Sequence, residues 1–302
     1  MLPAPTPSLA AARRRAILLV LGASATFMIA AALVKALAGA IPLPQVIFFR
    51  NLFAMPLLLV LLMRAGGFGM LHTRQPWGHV QRAFWGMFGM IGAFHGYSYL
   101  PLATVTALGF TMPLFLTALS VVLLGEKVGW RRWSAVVVGF LGVLIMVRPF
   151  GFEAGTALPP LSVGIVLLGA LGWAMAMMSI RRMGAAGESG VAIVIWFAII
   201  SAVTAGLATI PVWVTPDPLQ WVMLACIGLV SAVAQLQMTA AYRSGETTLL
   251  APFEYSGIVW TMIIGIGIWS EWPDGWDLVG FAVLVGAGLY IWRREVVRGA
   301  KR

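Results

Sequence analysis

The chain is short of charge. Of its 302 residues only 10% are Asp, Glu, Lys or Arg, where a soluble globular domain carries about 25%. Acids number ten, histidines three and cysteines one. The lone Cys226 excludes an intramolecular disulfide and any cysteine-cluster metal site. His72, His79 and His95 form no His-Glu-x-x-His or other metal-ligand spacing, so no metal site is expected. No Gly-rich loop follows a strand and carries Lys-Ser/Thr, which excludes ATP-driven pumping by this chain alone. A membrane-embedded enzyme would need a nucleophile–base pair or paired carboxylates. The only carboxylate cluster, Glu271, Asp274 and Asp277, lies in a short loop without a nearby base and reads as a solvated turn. The net charge of +10 comes in short clusters between apolar runs. It forms no basic helix face, so nucleic acid is not the expected partner.

What the chain has is apolar length. Hydrophobic residues make up 61% and the mean hydropathy is +0.94. The run from Tyr97 to Glu126 is apolar for longer than a soluble core helix would be. It matches the roughly 20 residues needed to cross a hydrocarbon core of about 30 Å. Ten such spans can be placed, near 16–39, 45–63, 79–99, 102–124, 132–148, 160–180, 190–212, 219–241, 248–269 and 277–292. The first is too long for a signal-peptide core of about 7–15 residues and reads as a retained span. The fold class is therefore an all-α integral membrane protein in the lipid bilayer. Arg13–Arg15, Arg64, Arg74, Arg82, Lys127, Arg131, Arg132, Arg181, Arg182, Arg243 and the basic C-terminus fall on one side. Only Arg148, with the acids Glu153, Asp217, Glu271, Asp274 and Asp277, falls on the other. The positive-inside rule puts both termini in the cytoplasm, which requires an even number of spans.

The chain also repeats itself. Ala103-Thr104-Val105, Pro113 and Leu124-Gly125-Glu126 return, 145 residues on, as Thr248-Leu249-Leu250 and Ser270-Glu271. Each glutamate is followed by a tryptophan-bearing turn and a Gly-rich span. Five spans per copy is odd, so residues 1–150 and 151–302 form two inverted-topology five-helix repeats. Such repeats place a substrate site near the midplane between them, around a central cavity.

These residues resemble the EamA-type carriers of the drug/metabolite transporter superfamily over essentially the whole chain. The resemblance rests on Lys35, Arg50-Asn51-Leu52-Phe53-Ala54, Tyr99-Leu100-Pro101-Leu102-Ala103, Pro113-Leu114-Phe115 and Leu124-Gly125-Glu126-Lys127. Among that superfamily the chain looks most like the amino-acid exporters of the YddG type; riboflavin and S-adenosylmethionine carriers share much of the pattern. The resemblance implies ten helices in two inverted halves, an inner (plasma) membrane location and no cofactor. The implied activity is secondary transport of small metabolites by alternating access, with amino-acid export first. Two complete halves make a monomer sufficient.

Charges inside spans are costly, at about 2.5–3.5 kcal/mol or more at the membrane centre. Lys35 and Arg50 near the outer ends of their spans are either interface anchors or an outer gate meeting a substrate carboxylate. Glu254, one turn into the ninth span, is either a helix N-terminal acid or an inner-gate and coupling group. In the third span Trp85, Phe88, Gly92, His95 and Tyr99 recur at i, i+3, i+7, i+10 and i+14, along one stripe expected to line the cavity. In the eighth, Ser231, Gln235, Met238 and Tyr242 share a face. Trp173 and Met177 on the sixth span, Met112 beside the kinking Pro113, and Tyr255 complete the expected substrate site. Their alternative role is core packing.

Overall fold

The computed structural model describes residues 9–112, 114–115, 118–119, 130–148, 158–244, 253 and 255–299. Glu254 and Pro113 lie outside the described residues, as does the Glu126 end of the fourth span. Among the described residues the regular structure is helical. In chain order the α-helices are α1 (Leu9–Ala36), α2 (Leu43–Ala65), α3 (Pro76–Tyr99), α4 (Leu102–Gly109) and α5 (Trp130–Val147). They continue as α6 (Pro160–Ala185), α7 (Gly190–Thr209), α8 (Pro218–Ser244), α9 (Ser256–Trp269) and α10 (Gly275–Gly299). α3, α6 and α8 open on a proline, whose fixed φ and missing N–H suit the first helical turn. Among the described residues five helical stretches are long and apolar enough to cross a membrane: Arg14–Ala36, Leu43–Ala65, Pro160–Ala185, Gly190–Val212 and Pro218–Met238. Trp133–Val147, Ser256–Trp269 and Gly275–Tyr290 are shorter apolar helices.

The helices pack chiefly as α3 on α6, α1 on α8, α5 on α10, α2 on α7, and α4 on α9. Small residues make the closest approaches possible. A Cβ at Gly92 would stand 2.6 Å from the Gly169 Cα and 2.8 Å from the Ile165 carbonyl oxygen. A Cβ at Gly142 would stand 3.0–3.1 Å from the backbone of Leu284 and Gly280. In lipid, where apolar burial drives little helix association, such backbone proximity is a principal source of packing energy.

Polar contacts tie the links together at each end of the bundle. At one end Lys35 ion-pairs with Glu271, and Gln45, fully buried at the start of α2, pairs its amide with the backbone of Val214 in the α7–α8 link. Its Nε2 donates to the Val214 carbonyl at 2.7 Å and its Oε1 accepts from the Val214 N–H at 3.1 Å. Arg148 at the close of α5 meets Asp274 at 2.6 Å and Asp277 at 3.8 Å. Asp274 and Asp277 also accept each other's backbone N–H at the start of α10. The acids of this loop are thus bound to Lys35 and Arg148, which corrects their reading as a freely solvated turn.

At the other end Glu188, just before α7, clips the α2–α3 link. Its carboxylate accepts from the Thr73 hydroxyl at 2.7 Å and the Arg74 N–H at 3.0 Å, with His79 Nε2 3.6 Å away. Partial burial pushes its pKa up, but these donors and the histidine more than offset that and hold it below the ordinary value of 4.5. A depressed carboxylate pKa stabilises the fold above the ordinary value, and that stabilisation is lost as pH falls through the depressed one. Glu188→Ala is expected to cost about 1–3 kcal/mol. The loss should show as a lower Tm at neutral pH, with the gap to wild type closing in strong acid.

Candidate functional site

Between the helices lies a cavity of about 260 Å³. Its position follows from a local fault in α4. That helix stops at Gly109, four residues before Pro113, the carbonyl a proline at that position cannot satisfy. The chain turns through Phe110 and Thr111, whose N–H groups bond back to Thr106 and Leu108. The cavity is lined at this break by Gly109, Phe110 and Met112. Irregular backbone at membrane depth is tolerated where it faces a cavity.

α1, α2, α3, α4, α6, α7, α8 and α9 all contribute to the walls. Several lining residues lie 145 positions apart: Ser24 and Gly169, Met28 and Trp173, Met90 and Gln235, Ala93 and Met238, Met112 and Gly257. The lining is mostly apolar and rich in methionine and aromatic side chains. Thr106 Oγ1 stands 3.7 Å from Met28 Sδ. Arg50 is the charged residue of the described lining. Its Nη1 is 3.2 Å from Met90 Sδ and its guanidinium stands 6.0 Å from the Phe94 ring centroid.

Of the residues expected from the sequence, Met112, Trp173, Gln235, Met238 and Arg50 meet in this cavity. Tyr255 sits at its edge, with its ring 4.8 Å from that of Phe110 and its hydroxyl end against Gly288 of α10. Met177 is half-buried on α6, outside the lining. The stripe of α3 is turned away. Trp85 packs edge-on with the exposed Phe84 and Phe88. His95 bonds Ser162 at 3.2 Å and its ring lies tilted, 4.5 Å between centroids, against Tyr99, which is 64% exposed. Gly92 in the same stripe is pressed on Gly169. The face of α3 that meets the cavity is Gly89, Met90, Ala93, Phe94 and Tyr97. The physical reason is that lipid is as apolar as the bundle, so aromatic periodicity does not say which way a helix turns. The glycines at 89, 92 and 96 carried the better signal, since they mark the seam with α6.

Lys35 stands outside the cavity, at the bundle end. It ion-pairs with Glu271, donates to the Leu100 carbonyl at 2.9 Å and lies 5.6 Å from the Trp269 ring. Glu271 in turn accepts the Leu102 N–H at 2.9 Å, capping α4. Arg82, counted by its sequence position among the loop charges, is 3% exposed within α3 and lies 4.2 Å from the Phe197 ring. Charge patterning missed it because it stands only two turns inside the helix.

A polytopic helical bundle with a broken helix at an inner cavity fits a membrane carrier. The comparisons agree with it. The model of the EamA-like transporter family matches residues 14–148. A pseudopaline exporter of Pseudomonas aeruginosa is 30% identical over 92% of this chain and 96% of its own length. An S-adenosylmethionine uptake transporter of Rickettsia bellii is 29% identical over 82% of each chain. A riboflavin transporter of Rhizobium johnstonii is 28% identical over 84% of this chain and 80% of its own. A solved crystal structure superposes with a TM-score of 0.65 at 20% identity, covering 92% of this chain and 98% of the other. The chain belongs to the EamA-like transporter family. It is a multi-pass membrane transporter of small metabolites and not an enzyme.

Proposed function

We propose that the chain is a secondary carrier that moves small metabolites by alternating access of two inverted five-helix halves, residues 1–150 and 151–302. The observation that carries this reading is the pairing of cavity walls at a spacing of 145 residues. The helix contacts support it too. Exchanging each helix for the one five places along turns α3-on-α6 into α8-on-α1 and leaves α2-on-α7, α4-on-α9 and α5-on-α10 unchanged. That is the pattern of a two-fold axis through the cavity. The charge asymmetry of the loops supports an orientation in the inner membrane with both termini cytoplasmic and the Lys35 end outside.

Amino acids leaving the cell are the substrate reading. A cavity of about 260 Å³ lies below the roughly 300–1,000 Å³ of sites for drug-sized ligands. Such a cavity has room for an amino-acid-sized cargo. Methionine walls adapt to several side chains, which suits broad selectivity.

Uptake of labelled amino acids, riboflavin and S-adenosylmethionine into proteoliposomes, with and without a pH gradient, tests the reading. Saturable uptake of amino acids is expected. Trp173→Ala, in the cavity wall, should lower it at least about tenfold, the scale of a lost aromatic anchor. Tyr99→Ala, on the exposed face, should leave it within about twofold. Equal loss in both variants would remove the cavity from the transport path.

A further inference from the structure

Arg82 is buried, its Nε and Nη1 have no hydrogen-bond partner, and its guanidinium is stacked on Phe197. Phe197 is itself a cavity wall. The guanidinium folds along α3 over Gly86, where an added Cβ would touch both Arg82 Nη1 and Phe197. Met90, which Arg50 touches, is one helical turn beyond Gly86, or about 6 Å along the axis. Two guanidiniums therefore reach toward the same stretch of α3, Arg82 buried and Arg50 partly so. Among the described residues no carboxylate stands within ion-pair distance of either, and none lines the cavity. Leaving buried cations unneutralised is costly at membrane depth. Among the described residues their neighbours are aromatic rings and a thioether, which cannot neutralise a guanidinium.

Resting on the carrier reading, we infer that the cargo supplies the missing charge: Arg50 and Arg82 form a two-pronged anion site for a substrate carrying two carboxylates. Arg50 takes the first carboxylate inside the cavity. Phe197 swings aside to admit the second to Arg82, whose planar fork suits a carboxylate in two parallel hydrogen bonds. Acidic amino acids and simple dicarboxylates meet this description, and their singly amidated isosteres do not.

The matched pairs glutamate/glutamine and aspartate/asparagine, with glutarate as the amine-free probe, test it on the full chain in nanodiscs and in proteoliposomes. Isothermal titration calorimetry in nanodiscs reports binding, and counterflow reports transport. Wild type is expected to bind glutamate at least about tenfold tighter than glutamine, the scale of one charge-assisted contact. Arg82→Gln should abolish that preference by weakening glutamate while leaving glutamine unchanged, whereas Arg50→Gln should weaken both. Arg82→Lys, which keeps the charge and lessens the risk of misfolding, should restore part of the preference. Equal affinity of wild type for acid and amide, or equal loss of both in Arg82→Gln, overturns the site. So does failure of all three diacids to bind. Binding of glutamate without counterflow of any probe would instead sink the carrier reading and keep the anion site.

Discussion

Replacing Lys35 with methionine should open the Lys35 end of the bundle. One ion pair holds three separate pieces of chain there. Lys35 closes α1, Glu271 follows α9, and the same carboxylate caps the first N–H of α4. Ser270, in the left-handed conformation at φ 56°, turns the chain after α9, and the Glu271 N–H bonds back to the Gly265 carbonyl. That geometry aims the glutamate across the bundle. Both side chains are largely buried, with 13% and 19% exposure, so removing one leaves the other desolvated and unpaired. The cost is about 2–4 kcal/mol, enough to move a two-state equilibrium by roughly 30- to 1,000-fold. A cysteine at Ser24 in a Cys226→Ser background places a thiol in the cavity wall. Its labelling by an impermeant maleimide added from the Lys35 side should rise at least tenfold in Lys35→Met, and transport should fall. The charge reversal Lys35→Glu with Glu271→Lys should return both toward wild type. Unchanged labelling in Lys35→Met would reduce the pair to an interface anchor.

Gly92→Val should prevent assembly. The added carbon would meet the Gly169 Cα at 2.6 Å and the Ile165 carbonyl at 2.8 Å, both backbone atoms that no rotamer change can move aside. α3 and α6 would have to separate, and α3 carries one wall of the cavity. An overpacking cost of at least about 3 kcal/mol is expected, with loss of monodisperse protein on size exclusion. Gly164→Ala on α6 supplies the control. Nothing stands within 4 Å of its Cβ position, so its effect should stay within about 0.5 kcal/mol. Equal behaviour of the two variants would mean that the glycine seam does not hold these helices together.

Much of this was legible from residue pattern alone, and the remainder was hidden for definable reasons. Apolar runs and prolines located the helices, because lipid demands length and satisfied backbone. The break before Pro113 pointed to Met112, which lines the cavity. A shared face of the eighth span brought Gln235 and Met238 into view, and the aromatic and methionine side chains of the sixth span brought Trp173. The rotation of α3 was not legible from its aromatics, since both lipid and protein accept them. Nor was the pairing of Lys35 with Glu271, 236 positions apart, because a charge pattern gives the side of the membrane and not the partner. Arg82 was misplaced for the opposite reason: a basic residue near a span end satisfies the loop-charge rule whether it points outward or folds inward.

The helix partnerships also bear on how the polypeptide is made. The principal neighbour of each of α1 to α5 lies in α6 to α10. When the first 150 residues have left the ribosome, α1 still lacks α8, α3 lacks α6 and α5 lacks α10. The early helices must wait in the bilayer for partners not yet synthesised, and contacts so distant in sequence form slowly. The N-terminal half made alone would keep only its slighter contacts, those of α3 with α1, α2 and α4. The two halves made as separate chains in one membrane would be able to find each other and reconstitute a whole.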